Sequence, residues 1–186
     1  MNIKQLLLIG ILVVIGFSCR GPEGPPGPRG PEGPEGPGAL MWETNPFDFR
    51  LRHGEYQYFW PLPYQDVDFY DEDMFLAYAL VGFNHYNEPE WEPLPMTVLG
   101  SEGVANYTFA ASLEEIRFIM TATNDNFFTD PNLTDDWVMR IVMIPAWWGD
   151  DWRKGPDWNS YENVKETFNL PDLPAPKVEP RDRKLP

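Results

Sequence analysis

Glycine recurs at every third position from Gly21 to Gly36, and proline follows each of these glycines. Only glycine fits at the axis of a collagen triple helix, and proline presets polyproline II torsions while removing a backbone donor. The segment therefore cannot join a helix or a sheet. Because the repeat is short and three of its x positions are glutamate, we interpret residues 19–38 as an extended spacer, with a trimerising stalk as the alternative.

An apolar run over residues 6–15 follows Lys4 and ends at Gly-Phe-Ser-Cys. The run is too short for a transmembrane span and fits the core of a signal peptide. Its end resembles a bacterial lipobox, which implies that residues 1–18 are removed and that Cys19 carries diacylglycerol and palmitate-type acyl chains. The alternatives are an uncleaved anchor and an ordinary cleavage site beside a cysteine. Since Cys19 is the only cysteine, no thiol remains for a disulfide or a nucleophile.

The chain is strongly acidic, with 14 Lys and Arg against 29 Asp and Glu and a net charge of −15. Removal of residues 1–18 takes away one lysine and leaves 13 − 29 = −16. This balance argues against nucleic acid as a partner and against direct binding to anionic lipid headgroups.

Beyond Gly38 the sequence consists of apolar or alternating segments of strand length. Residues 47–52 alternate Phe, Phe and Leu with Asp, Arg and Arg, which is the period of a half-buried strand. Residues 74–83 are apolar on both faces and residues 136–146 are similar, as is typical of central strands. The other strand candidates are residues 55–63, 90–100, 104–112 and 114–123.

Seven short strands with turn residues between them predict an all-β fold, an antiparallel β-sandwich over residues 39–148. Residues 158–168 have the pattern of one short C-terminal helix, within a segment, 149–170, that we expect to pack on the sandwich. Proline-rich residues 171–186 are predicted to form an extended, mobile tail. Residues 64–73 are predicted to be a short helix or turn, and residues 124–136 a polar loop.

Six motifs follow one another in a characteristic order. They are a tyrosine-rich strand at 55–60, an aspartate-rich turn at 65–73, a buried strand at 75–81, a Trp-x-x-Leu-Pro strand at 91–95, a strand ending in Ile-Pro at 138–145, and a Tyr-x-x-Val-Lys helix at 161–168. Together with the lipobox and the Gly-Pro-x triplets, this layout resembles the collagen-like lipoproteins of Bacteroidota. The resemblance implies a lipid-anchored β-rich domain and no established catalytic residues. The longer proline-rich tail after Leu170 departs from that pattern.

Acidic side chains crowd two loops, and calcium prefers oxygen ligands from such loops. Their spacing lacks the alternating Asp-x-Asp-x-Asp-Gly pattern of a twelve-residue calcium loop. We therefore interpret them as turn and helix N-cap residues, with calcium as the alternative and no other cofactor expected. The candidate calcium ligands are Asp66, Asp68, Asp71, Asp73, Asp125 and Asp130.

Four tryptophans cluster late in the chain, at Trp147, Trp148, Trp152 and Trp158. We expect Trp147 and Trp148 to cap the sandwich and Trp152 and Trp158 to pin the C-terminal segment to it, and a partner surface or a glycan platform is the alternative. The two histidines lie in separate turns, and no Ser-His-Asp arrangement or phosphate-binding loop is present in the sequence. The sequence therefore predicts no enzyme, and a hydrolase with paired carboxylates is the remaining enzymatic alternative.

The function that these features predict is that of an outer-membrane-anchored lipoprotein acting as a structural or protein-interaction module of the bacterial cell envelope. Its expected partners are the membrane, through the lipid on Cys19, and another envelope protein. A homotrimer through the Gly-Pro-x segment is an alternative assembly, and a glycan-binding surface lipoprotein is the alternative function. Either face of the outer membrane is compatible with the sequence.

Overall fold

The computed structural model describes residues 38–63, 68–100, 103–146, 148, 155–176 and 178. The chain divides into two units, Met1–Glu35 and Gly36–Pro186, and every described residue belongs to the second. The predicted signal peptide, Cys19 and the Gly-Pro-x repeat lie outside the described residues, as does most of the predicted tail beyond residue 176.

The described residues form an all-β fold with short helices, which confirms the predicted fold class. Nine strands are present in this part of the chain, two more than expected from the sequence. The strands are β1 (Leu40–Glu43), β2 (Arg50–Arg52), β3 (Glu55–Pro61), β4 (Met74–Phe83), β5 (Pro89–Pro93), β6 (Met96–Gly100), β7 (Gly103–Ala111), β8 (Glu115–Ala122) and β9 (Met139–Ile144). The helices are a 3-10 helix (Asp125–Thr129), α1 (Pro131–Thr134) and α2 (Tyr161–Thr167).

The strands form two antiparallel sheets, one of four strands in the order β1-β9-β4-β5 and one of five in the order β2-β3-β8-β7-β6. The central strands of the four-stranded sheet are covered on both faces. Ala77 and Ile141 belong to one buried cluster, which includes side chains of both sheets. Tyr78 and Val142, their neighbours in sequence, belong to a second cluster with Val164 of α2. This arrangement explains why the sequence of β4 and β9 is apolar without alternation.

Aromatic rings fill the core between the two sheets. Phe47 stacks on Tyr58 with ring centroids 3.9 Å apart and lies 5.6 Å from Phe118. Trp137 is fully buried, and its indole nitrogen donates to the carbonyl oxygen of Leu133 at 2.8 Å. Its polar atom is therefore satisfied, and the ring contributes its large apolar area to the core.

The prediction of one strand over residues 90–100 is wrong, because the segment forms β5 and β6 in different sheets. The break falls at Leu94 and Pro95, which are joined by a cis peptide bond. Proline has no backbone N–H for a sheet ladder, so a strand cannot run through this position without losing a hydrogen bond. The chain passes from one sheet to the other there.

The alternating pattern at residues 47–52 is only partly realised. Phe47 and Phe49 are buried as expected, but Leu51 remains 62 % exposed on the short edge strand β2. Strand β1 was not expected from the sequence, and the predicted polar loop at residues 124–136 contains the 3-10 helix and α1. The predicted helix at 158–168 is confirmed by α2.

We predict that Phe49→Ala lowers the free energy of unfolding by about 3–5 kcal/mol, because it removes a fully buried ring that contacts Tyr107 and Trp137. Leu51→Ala, two residues away on the exposed strand β2, is the matched control and should change stability by no more than about 0.5 kcal/mol. Urea unfolding followed by tryptophan fluorescence measures both. Equal losses would contradict this assignment of the core.

Candidate functional site

Two of the acidic candidates hold backbone structure. The carboxylate of Asp73 accepts hydrogen bonds from the backbone N–H groups of Tyr70 at 2.9 Å and Ala146 at 3.1 Å. Asp130 is the N-cap of α1 and accepts from the N–H of Asn132 at 2.9 Å. Both carboxylates therefore have the turn and cap roles expected of such residues.

The other acidic candidates are spread over separate segments. Asp68 and Asp71 are exposed near the start of β4, Asp125 lies in the first turn of the 3-10 helix, and Asp66 lies outside the described residues. Among the described residues, no three His, Cys, Asp or Glu side chains form a group that could hold a metal ion. Calcium binding stays the alternative interpretation of these acidic residues.

Two of the four late tryptophans pack against the sandwich. Trp148 and Trp158 lie edge to face with their ring centroids 6.2 Å apart, and Phe168 lies 4.6 Å from the first and 6.2 Å from the second. Both indoles are half-buried in the cluster between α2 and the four-stranded sheet. Trp147 and Trp152 lie outside the described residues. The two described rings therefore act in packing, as the sequence favoured.

The two histidines occupy turns of different sheets. His53 has a positive φ of 50° in the turn between β2 and β3, and His85 lies against Tyr86 in the turn between β4 and β5. β3 belongs to the five-stranded sheet and β4 to the four-stranded sheet. The structure therefore places the two histidines in separate turns, as the sequence predicted.

A buried cation, which the sequence analysis missed, joins three strands to α2. Arg140 of β9 is 5 % exposed, and its Nε donates to Glu43 Oε2 at 3.0 Å. Its Nη1 donates to the Tyr161 hydroxyl at 2.8 Å, and its guanidinium lies 4.2 Å from the centroid of the Trp91 ring. The only signal for this cluster was an arginine within the apolar segment 136–146. Its contacts connect β1, β5 and α2 to the centre of the sheet.

A cavity of about 500 Å³ lies beside this cluster, between β5 and the start of α2. Trp91 and Tyr161 line it together with residues Glu90, Glu92 and Glu162. In the described part of the chain, the buried indole nitrogen of Trp91 has no hydrogen-bond acceptor. The cavity is therefore aromatic and acidic.

The four terminal strands of the two sheets differ in how their edges are protected. β5 begins at Pro89 and ends at Pro93, and β2 has three residues of which two are arginine. β1 ends in Glu43, which is paired with Arg140. β6 has the sequence MTVLG, without proline or charge. Prolines, charges and short strands are the usual means of blocking an edge, so β6 is the unprotected one.

The hydrogen bonds of β7 show which backbone groups of β6 point outward. On its β8 side, the Val104 N–H donates to the Thr123 hydroxyl Oγ1 at 2.9 Å, and the Val104 carbonyl oxygen accepts from the Thr123 N–H at 3.0 Å. Its pair on β6 is Leu99, whose N–H and C=O must therefore point away from β7, because antiparallel pairs alternate in this respect. By the same alternation, the groups of Thr97 point outward too. Among the described residues, β6 has hydrogen-bond partners on β7 alone.

The side chains of β6 follow the same alternation. Met96 and Val98 are buried in the core between the sheets, whereas Leu99 is 55 % exposed. The free edge thus combines two outward-pointing backbone donors, two acceptors and an exposed apolar side chain. This combination suits pairing with an additional strand.

Comparison with known proteins does not indicate a family or a function for this chain, so both must be argued from its structure and sequence. A scan against protein-family models, a search of curated proteins and a search of solved structures each found no match to this chain. The resemblance to collagen-like lipoproteins stays a prediction. Within the residues that the structure describes, no helix has the length and apolar character needed to cross a membrane.

We predict that the domain loses stability above pH 10 because of Tyr78, a fully buried residue whose hydroxyl donates to the Trp158 carbonyl oxygen at 2.9 Å. Burial raises the pKa of Tyr78 above its ordinary value of 10.0. The unfolded chain then ionises first, so the stabilisation is complete below pH 10 and decreases as pH rises further. Between pH 8 and 11 the free energy of unfolding should fall by about 1.4 kcal/mol, because pH 11 lies one unit above the pKa of tyrosine in the unfolded chain.

Urea unfolding at the two pH values measures this loss. Tyr78→Phe should remove that part of the decrease, whereas Tyr86→Phe, at a site that is 73 % exposed, should leave it unchanged. The same decrease in the Tyr78→Phe variant would show that the titrating group is elsewhere.

Proposed function

We propose that this chain is a lipid-anchored protein of the bacterial outer membrane whose sandwich domain binds another envelope protein. Cys19 after its apolar leader supports the anchor, and the Gly-Pro-x residues support a spacer between lipid and domain. The strongly acidic composition supports a body that is held away from anionic headgroups rather than bound to them.

The observation that carries the binding role is the unprotected edge of β6. Its backbone groups at Thr97 and Leu99 point outward, and the exposed side chain of Leu99 lies beside them. Edges with these properties pair readily with a strand of another chain. The other three terminal strands of the same domain carry proline, arginine or a paired glutamate. Protein interaction is therefore the function that this geometry supports best.

The anchor is tested by Cys19→Ser in a Bacteroidota host. We expect the wild-type chain to partition into the detergent phase of Triton X-114 and to carry the added mass of its acyl chains, because several chains are needed for stable attachment. The variant should partition into the aqueous phase and lack that mass. An unmodified cysteine in the wild-type protein would contradict the anchor, whatever the domain binds.

The binding role is tested by a photo-crosslinking residue placed at Thr97 in cells. We expect one defined envelope protein to be cross-linked, and the product to disappear in Leu99→Pro, which removes an outward N–H while sparing the bonds to β7. The same crosslinker at Thr121, an exposed position of the interior strand β8, is the positional control. Products that are identical at both positions, or unaffected by Leu99→Pro, would contradict binding at the edge.

A further inference from the structure

We propose that the β6 edge receives an extended segment of a different protein that carries lysine or arginine at alternate positions. The segment adds to the five-stranded sheet as a sixth strand next to β6. This inference rests on the proposed function, and it specifies the chemistry of the partner.

The backbone of β6 determines the form of the partner. Thr97 and Leu99 each present one donor and one acceptor to the free edge. An extended segment can exchange hydrogen bonds with both residues, since alternate residues of a strand point their groups to the same side. A helix has its backbone groups bonded internally and cannot do so. The partner is therefore a strand or a segment that becomes one on binding.

The side chains of β6 determine one face of the partner. Leu99 is 55 % exposed and lies opposite to the buried Val98 in the alternation of the strand. A neighbouring residue on an added strand lies about 5 Å away on the same face. An apolar side chain there covers the exposed part of Leu99, so one face of the partner is apolar.

The charge of the domain determines the other face. Two carboxylates of β5, Glu90 and Glu92, have no ion pair among the described residues. β5 and β6 are the terminal strands of their sheets and are joined by only two residues, so they close the same side of the sandwich. Basic side chains along the added strand meet this acidic side, and the net charge of −15 attracts them from a distance.

The same charges disfavour a second copy of this chain as the partner. Two copies paired through β6 would bring Glu90 and Glu92 of each copy to one interface, without a cation of β6 to offset them. Two bodies that each carry a charge of −15 also repel one another. The edge therefore selects a basic segment of another protein.

The test uses the mature chain, residues 19–186 with Cys19→Ser, and three synthetic seven-residue peptides. The first alternates Val and Lys, the second alternates Val and Glu, and the third is the Val-Lys peptide with N-methyl groups at alternate residues. Calorimetric titration at low and at physiological salt measures their binding. We expect the Val-Lys peptide to bind at least about tenfold more tightly than either of the other two, and its affinity to fall with added salt.

Variants of the chain separate the contributions to this binding. Leu99→Pro should lower the affinity for the Val-Lys peptide by about tenfold or more. Leu99→Thr, which keeps the backbone N–H, should lower this affinity by less than about threefold. The double variant Glu90→Gln, Glu92→Gln should lower the affinity for this peptide and make the affinity less dependent on salt. Thermal unfolding confirms that the variants are folded. In amide hydrogen exchange, Thr97 and Leu99 should become protected when the peptide binds.

Several results would overturn the inference. Equal affinity for the Val-Glu peptide would refute the charge argument, and unchanged binding to Leu99→Pro would refute the edge. A dimer that Leu99→Pro dissociates would identify a second copy as the occupant instead. If the Thr97 crosslink to an envelope protein persists in cells while the Val-Lys peptide fails to bind, the partner chemistry is wrong and the proposed function stands.

Discussion

The central pair of strands, β4 and β9, is apolar on both faces, and this property determines the arrangement of the other layers. One face is covered by the five-stranded sheet, and the other by α2 with the aromatic residues around it. Six consecutive residues of β9 are buried, including the charged Arg140. A sheet of this composition cannot leave either face in water. The C-terminal segment is therefore part of the fold and not an appendage to it.

Arg140 shows how that layer is held in place. A buried guanidinium is costly unless its donors are satisfied, and here Glu43 and the Tyr161 hydroxyl accept from it while Trp91 covers its face. The three partners come from β1, α2 and β5, so the cation is satisfied only when all three elements are in position. We infer that its role is to fix the position of α2, because apolar packing alone is less directional.

The sequence predicted the elements that are buried on both faces, but it did not predict which residues lie at the edges of the sheets. The apolar runs at residues 74–83 and 136–146, and the helix at 158–168, could be predicted because their patterns reflect layers on both sides. The exposure of Leu51 could not be predicted, because an alternating pattern does not show where the opposite sheet stops covering the strand. The division of residues 90–100 into two strands depends on Pro95, yet proline also occurs at the start of β5, where the chain stays in the same sheet. Edge position is a property of strand order, which local patterns do not contain.

A domain with an unprotected edge strand needs another defence against pairing with copies of itself. β6 has no proline and no charge, so its own residues supply no such defence. The net charge of −15 supplies it at long range, because repulsion between two copies acts before their edges meet. Physiological salt limits this repulsion to a distance of about 8 Å, but two edges must approach to about 5 Å to form hydrogen bonds. The acidic composition and the open edge are thus compatible, because the charge that opposes a second copy attracts the basic strand that we propose.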